Sequence, residues 1–115
     1  VVANIGEKNA IYFGDADGSY KRKVLFGGNK DGTMAVAVGD IDNDYDMDIV
    51  VGNNGQKNHY YINNNLKFSL NEFGNKESIT YGLSLGDFNG DGLLDIVTAN
   101  SDGPNIIYYN SNNKK

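Results

Sequence analysis

The sequence predicts an all-β fold of short antiparallel strands, and three observations lead to that prediction. Its apolar residues occur in short runs, none of which approaches the ~20 residues that a membrane-spanning helix needs. Glycine accounts for 15 of the 115 residues and asparagine is also frequent; both tolerate the left-handed backbone of tight turns. The third observation is an internal repeat, in which the segment 39–50 recurs at 86–97.

Charge and cysteine content exclude several classes of function. The formal net charge is −5, which argues against a nucleic-acid partner because phosphate binding needs clustered Lys and Arg. The chain has no cysteine, so disulfide frameworks, thiolate metal sites and cysteine nucleophiles are excluded. Eight of the 15 acidic residues fall in two windows, 40–48 and 87–95. Such local clustering needs a local cause.

The repeat organises the whole chain. The match extends on both sides of the acidic windows, and Val1-Val2-Ala3-Asn4 resembles the segment 50–53 as part of a third copy. The chain therefore begins and ends inside a repeat. The predicted units are a partial repeat with strands two to four (1–34), a complete repeat (35–81) and a partial repeat with strands one to three (82–115).

Each complete repeat is expected to form four strands. Strands such as Ile49-Val50-Val51 are apolar on consecutive residues, which indicates burial on both faces. Blades of a β-propeller meet this requirement, since they are four-stranded sheets stacked against each other and repeat every ~40–50 residues. The sequence thus predicts about two and a half antiparallel blades, an incomplete propeller by itself. The expected strands are 35–39 and 82–86 (first), 49–52 and 96–99 (second), 60–63 and 106–109 (third), and 68–73 and 23–26 (fourth).

The two acidic windows share one spacing, Asp-x-Asp/Asn-x-Asp-x-x-x-Asp. Alternate carboxylates on a coiled loop can face one ion, and calcium takes 6–8 oxygen ligands of this kind. Position 7 of each loop would add a backbone carbonyl, from Asp46 or Leu93. The side-chain candidates at positions 1, 3, 5 and 9 are Asp40, Asp42, Asp44 and Asp48 in the first loop, and Asp87, Asn89, Asp91 and Asp95 in the second.

Position 6 differs between the loops. Gly92 permits the sharp turn that the coiling needs, whereas Tyr45 must adopt an unusual backbone conformation or a different path.

Alternative assignments of the acidic windows fit the residues less well. A single acidic turn exposed to solvent is common in proteins, but two such turns with identical spacing are not. Magnesium is less favoured because it keeps several waters and rarely uses an all-protein cage. An EF-hand loop needs an acid at position 12, where Val51 and Thr98 stand, and flanking helices. The nonapeptide repeat of calcium β-helices does not match either.

The stretch Gly-Asp-Phe-Asn-Gly-Asp-Gly-Leu-Leu-Asp-Ile-Val at 86–97 resembles the FG-GAP/VCBS repeat of integrin α-subunit propellers and many secreted bacterial proteins. The resemblance covers essentially the whole chain. It implies a seven-bladed propeller with calcium in the hairpin loops between the first two strands of a blade. The ligands that it implies are Asp40, Asp42, Asp44, Asp46 and Asp48, and Asp87, Asn89, Asp91, Leu93 and Asp95.

Residues outside the loops suggest no catalytic site. The lone histidine, His59, is expected at the surface. The pairs Tyr60-Tyr61 and Tyr108-Tyr109 could stack on sugars, but structural roles are favoured. Ser84 has no histidine partner in the pattern, so a nucleophilic triad is not supported. We therefore do not expect an enzyme.

These features favour a calcium-binding propeller module for binding or adhesion, with a protein or glycan ligand and structural calcium. One alternative is a fragment that completes a ring by homo-oligomerisation, because open sheet faces and edges invite pairing. Another is a non-catalytic part of a secreted enzyme or of a longer chain. Weak oxygen-lined sites need the millimolar calcium found outside cells, so we expect an extracellular or cell-surface location without a membrane span.

Overall fold

A computed structural model describes residues 1–111, which form nine strands and no helix. This part of the chain accordingly offers no helix of the length and apolarity that crossing a membrane requires. The last four residues of the predicted partial repeat 82–115 lie outside the described residues. The strands are β1 (Asn9–Phe13), β2 (Arg22–Phe26), β3 (Thr33–Gly39), β4 (Asp48–Asn53), β5 (Asn58–Asn64), β6 (Lys67–Phe73), β7 (Ile79–Gly86), β8 (Asp95–Ser101) and β9 (Ile106–Tyr108).

The strands form three antiparallel sheets in chain order, β1-β2, β3-β4-β5-β6 and β7-β8-β9. This arrangement confirms the predicted all-β fold of incomplete propeller blades. Among residues 1–111, only the middle sheet has four strands. In the opening copy, the segment before β1 contributes an isolated bridge between Val2 and Ala10 instead of a second strand.

The core lies between the sheets, with β4 at its centre. Ile49, Val50 and Val51 are 2%, 0% and 1% exposed, as their consecutive apolar pattern predicts. Ile49 and Val51 pack in one cluster with Phe26 of the first sheet. Val50 packs in a second cluster with Ile96 of the last sheet. The strand β4 is therefore buried on both faces.

Glycines allow the middle and last sheets to approach closely. A Cβ atom at Gly52 would lie 2.6 Å from Cγ2 of Thr80, and one at Gly39 would lie 2.8 Å from Cδ1 of Leu85. Both distances are shorter than side-chain atoms tolerate, so larger residues would push the sheets apart. The close packing holds β3 against β7, the strands that carry the acidic loops.

Buried asparagine and threonine side chains bridge adjacent sheets in a repeated pattern. Asn9 donates from Nδ2 to Oγ1 of Thr33, at 3.0 Å, and this hydroxyl donates to Oδ1 of Asn53 at 3.1 Å. Asn58 donates in the same way to Thr80, at 2.9 Å. Because buried polar groups are costly when unpaired, these bonds specify how the sheets align.

Candidate metal-binding loops

Each acidic loop joins the first and second strands of its sheet. The first acidic loop (residues 40–48) links β3 to β4, and the second acidic loop (residues 87–95) links β7 to β8. Strands flank both loops, as predicted, so their architecture differs from that of a helix-flanked EF-hand.

The last aspartate of each loop is a buried anchor. Asp48 is 0% exposed; its Oδ2 accepts a hydrogen bond from the Ile41 amide at 2.7 Å and its Oδ1 accepts one from the Asn63 amide at 2.8 Å. Asp95, also 0% exposed, accepts bonds from the amides of Phe88 and Asn110. Burial raises the pKa of the Asp48 carboxyl, although the amide bonds oppose this shift. Each anchor closes its loop and ties it to the segment of the third strand.

The first aspartate of each loop organises the coil. Asp40 accepts hydrogen bonds from the amides of Asp44, at 3.1 Å, and Tyr45, at 2.8 Å. Asp87 accepts bonds from the amides of Gly90 and Gly92, each at 2.8 Å. These backbone bonds, that from Gly92 first, lower the pKa of Asp87.

Three carboxylates converge in the first acidic loop. Asp40, Asp42 and Asp48 each place one carboxylate oxygen within 4.8 Å of the other two. Oδ1 of Asp42 is buried and has no hydrogen-bond partner. Burial, then the charge of Asp48, raises the pKa of Asp42. A buried carboxylate oxygen without a partner beside two others is unfavourable, and a bound cation would satisfy it.

The remaining predicted side-chain ligands of the first loop lie outside this group. Oδ1 of Asp44 accepts a hydrogen bond from the Asp46 amide at 2.9 Å, and Asp44 is exposed. Asp46 belongs to the predicted set through position 7, for which its backbone carbonyl is the expected donor.

The second acidic loop satisfies its polar groups internally. Asn89, which stands where the first loop has Asp42, donates to Oδ2 of Asp91 at 3.3 Å. Oδ1 of Asp91 accepts a bond from the Leu93 amide at 3.0 Å. Within residues 1–111, the carboxylates of this loop form no group like that of Asp40, Asp42 and Asp48.

The two loops share their backbone path despite different residues. Asn43 and Tyr45 have φ of 59° and 72°, and Gly90 and Gly92, at the same loop positions, have φ of 77° and 86°. The unusual backbone predicted for Tyr45 is thus confirmed. A bulky residue in this region is strained, and the Tyr45 side chain is 95% exposed, so packing compensates little.

The structure corrects the prediction for His59. Its side chain is buried, at 7% exposed, because β5 begins at Asn58 and includes it. Nδ1 lies 3.3 Å from the Tyr61 hydroxyl and 3.9 Å from Oδ2 of Asp31. The histidine therefore lies between Tyr61 and the segment that connects the first sheet to the middle sheet.

Sequence reasoning missed two asparagines that brace the loops. Asn63 donates from Nδ2 to the Met47 carbonyl at 3.0 Å. Asn110 donates to the carbonyls of Leu94, at 3.2 Å, and Ile41, at 2.8 Å, and so joins the two loops. Their recurrence at one distance after each loop is the signal that could have identified them.

Comparisons with known proteins agree with the repeat. The family model described as FG-GAP-like repeat matches residues 1–51 and 43–98. Neither a search of curated proteins nor a search of solved structures gave a significant match. The two family matches cover most of the sequence, and the sheets have the architecture of blades. The chain belongs to the FG-GAP-like repeat family and is a β-propeller-like repeat module.

Proposed function

We propose that this chain is a calcium-stabilised repeat module of a binding or adhesion protein, with ions held by its acidic loops. The observations that carry the proposal are the convergence of the Asp40, Asp42 and Asp48 carboxylates and the buried Oδ1 of Asp42, which has no hydrogen-bond partner. Clustered carboxylates repel each other and are poorly solvated when buried. A cation removes both costs.

The donor set favours calcium among the common cations. Every candidate donor is a carboxylate, amide or main-chain oxygen, which suits a hard cation and not zinc or copper. Asp44 and the Asp46 carbonyl would join the three converging carboxylates in the first loop. Asp87, Asn89, Asp91, Asp95 and the Leu93 carbonyl would form the set in the second loop. Mixed, flexible oxygen sets of this size suit calcium better than magnesium.

The ion would act structurally. Each loop joins two strands of one sheet, and its buried anchor bonds to the third-strand segment through Asn63 or Asn110. A cation on the loop therefore links three segments of a blade. Binding to the folded state alone stabilises that state by mass action, about 2.7 kcal/mol at a hundredfold excess over the dissociation constant.

The proposed setting is extracellular, where millimolar calcium fills weak oxygen-lined sites. The module would serve recognition of a protein or glycan and no catalysis. It would act as part of a larger propeller-like assembly, since the three sheets of residues 1–111 are fewer than the roughly 4–8 blades of a closed propeller.

Thermal unfolding in calcium, in magnesium and in excess chelator tests this proposal. We expect calcium to raise the melting temperature of the wild type, and magnesium at the same concentration to raise it less. Glu77→Gln, which removes an exposed acid outside the loops, should respond as the wild type does. Identical melting curves in calcium and chelator would contradict the proposal.

A further inference from the structure

The sequence contains two Asn-Gly dipeptides, Asn54-Gly55 and Asn89-Gly90. Such dipeptides are prone to deamidation, because glycine has no side chain to hinder attack of its main-chain nitrogen on the preceding side-chain amide. Both glycines have a positive φ, of 70° and 77°. Local sequence and backbone conformation therefore do not separate the two sites, and their surroundings in the fold must do so.

The first dipeptide is held by main-chain pairing between the middle and last sheets. The Asn54 amide donates to the Gly32 carbonyl at 2.9 Å, and Asn54 forms a bridge with Ile79. The Gly55 amide donates to the Ser78 carbonyl at 3.2 Å. These bonds must open before the Gly55 nitrogen can attack, and a main-chain carbonyl is not a base at neutral pH. The fold therefore opposes deamidation at Asn54.

The second dipeptide lies in the second acidic loop, beside two groups that can assist the reaction. The Gly90 amide donates to Oδ1 of Asp87 at 2.8 Å, which is within the reach of a general base. The Asp91 amide, which also donates to Asp87, lies 3.3 Å from Oδ1 of Asn89. It can stabilise the negative charge that develops on this oxygen during attack. The loop therefore supplies a proton acceptor for the nucleophile and a hydrogen-bond donor for the oxyanion.

Water has access to this part of the loop even where another sheet packs alongside. The first acidic loop provides the comparison, because β3, which leads into it, packs against β7 of the last sheet. There Asn43 and Asp44, the counterparts of Gly90 and Asp91, are exposed. The hydrolysis that completes deamidation is therefore open to solvent at this position of the loop.

We propose that Asn89 is a site of spontaneous deamidation, promoted by the Asp87 carboxylate and the Asp91 amide. The Gly90 nitrogen passes its proton to Asp87 and bonds to Cγ of Asn89. The bond from Cγ to Nδ2 breaks, and Nδ2 takes up that proton and leaves as ammonia. Water then opens the succinimide ring, at Cγ to give isoaspartate's isomer aspartate, or at the main-chain carbonyl carbon to give isoaspartate. The net reaction exchanges ammonia for water, with no change of oxidation state.

Either product should weaken the second acidic loop in the absence of a cation. Aspartate adds a negative charge beside Asp87 and Asp91, and like charges repel. Isoaspartate lengthens the main chain by a methylene group and so disrupts the coil that Asp87 holds through its bonds to the amides of Gly90 and Gly92. The melting temperature in chelator should therefore fall as conversion proceeds.

Timed incubation of the full chain in chelator at mildly alkaline pH, both folded and in urea, tests the proposal. Tryptic cleavage after Lys57 and Lys76 places the two asparagines on separate peptides, and mass spectrometry follows the replacement of NH2 by OH at each. In the folded chain, we expect Asn89 to convert at least about tenfold faster than Asn54, where opening of the paired segment adds to the barrier. In urea, the two rates should become similar.

The variant Asp87→Asn tests the role of the carboxylate, because asparagine can still accept the amide hydrogen bonds but cannot take up the proton. Conversion of Asn89 should slow about tenfold, while that of Asn54 stays the same. Glu77→Gln makes the same change of charge at an exposed acid outside the loops, so it serves as the matched control and should alter neither rate.

Three results would overturn the proposal. These are equal rates at Asn54 and Asn89 in the folded chain, slower conversion of Asn89 in the folded chain than in urea, and an unchanged rate at Asn89 in Asp87→Asn. The first two need no variant, so they test the proposal even where Asp87→Asn does not fold. Because every incubation contains chelator, this proposal and the proposed calcium function can fail separately.

Discussion

The middle and last repeats share one loop geometry but differ in the residues that they place on it. Both loops have a buried final aspartate, a first aspartate that accepts backbone amides, and left-handed residues at the same two positions. The middle repeat adds Asp42 and Tyr45 where the last repeat has Asn89 and Gly92. The loop geometry therefore needs neither the extra charge nor the strained tyrosine. We infer that the first loop is the less stable one without a cation and gains more from binding one.

The largest expected effect is loss of a buried anchor. Asp48→Ala leaves the amides of Ile41 and Asn63 without their acceptor, and we expect the free energy of unfolding to fall by about 2–4 kcal/mol. Asp95→Ala should cost less, because the hydrogen bonds that Asp95 accepts are partly buried, whereas those that Asp48 accepts are buried. Urea denaturation measures both.

Glu77→Ala, which removes an exposed acid outside the loops, serves as the control and should change stability little. A larger loss of unfolding free energy for Asp95→Ala than for Asp48→Ala would contradict the expectation that the anchor of the middle repeat contributes more.

Exchanging the residue types at loop position 3, Asp42 and Asn89, should change stability without calcium and calcium affinity in opposite directions in the two loops. Asp42→Asn removes one negative charge from the three converging carboxylates, so we expect higher stability in chelator and about tenfold weaker calcium binding at the first loop, since affinity follows ligand charge. Asn89→Asp should lower stability in chelator and strengthen binding at the second loop. Unfolding in chelator and calcium titration of each variant measure these changes.

The essential result is that the two variants change the stability in chelator in opposite directions. Destabilisation of the calcium-free chain by Asp42→Asn would show instead that the carboxylate contributes favourably without a cation.

Changes in backbone strain at loop position 6 should alter the free energy of unfolding by less than the loss of an anchor does. Tyr45→Gly relieves a left-handed tyrosine that is almost fully exposed and should stabilise the chain by about 0.5–1 kcal/mol. Gly92→Ala introduces a Cβ atom at φ +86° and should destabilise it by about 1 kcal/mol. Thermal unfolding checks both. Destabilisation by Tyr45→Gly would indicate a contact of the ring that compensates for the strain.

The smallest expected effect is on the ionisation of Tyr61 and Tyr108, whose rings meet Phe26 and Phe73 edge to face. Burial raises the pKa of Tyr61 from 10.0 to about 12 and also raises that of Tyr108. The folded state then holds the phenolic proton more tightly than the unfolded chain does. The stabilising contribution of Tyr61 is complete below pH 10.0 and is lost as the pH rises towards about 12.

Ultraviolet titration of the phenolates measures this difference. Tyr61→Phe should remove a component that ionises well above pH 10.0. A curve that Tyr61→Phe leaves unchanged in this pH range would contradict the burial of Tyr61.

The repeat made most of the fold predictable from the sequence. Two copies define the strands and loops twice, and the apolar run at 49–51 identified a strand buried on both faces. The first strands begin earlier than predicted, at Thr33 and Ile79, because pairing continues past a bulge in β3 and β7. Ile79, Thr80 and Tyr81 favour strand formation, so the earlier start of β7 could have been predicted from the residues.

The details of the polar core could not be predicted in the same way. Asparagine serves in exposed turns and, at Asn9 and Asn58, in buried bridges between sheets, and composition cannot separate the two uses. The spacing of the first acidic loop left two alternatives for Tyr45, an unusual backbone conformation or a different path, and did not predict that Asp40, Asp42 and Asp48 alone converge. That convergence depends on how the folded loop places each side chain, since Asp48 is buried whereas Asp44 is exposed.

Calorimetric titration of the metal-free chain with calcium tests the central claim most directly. We predict two ions for each chain, with heat from the first loop lost selectively in Asp42→Ala and heat from the second lost selectively in Asp91→Ala. The absence of saturable heat at millimolar calcium, with the chain folded by circular dichroism, would contradict it.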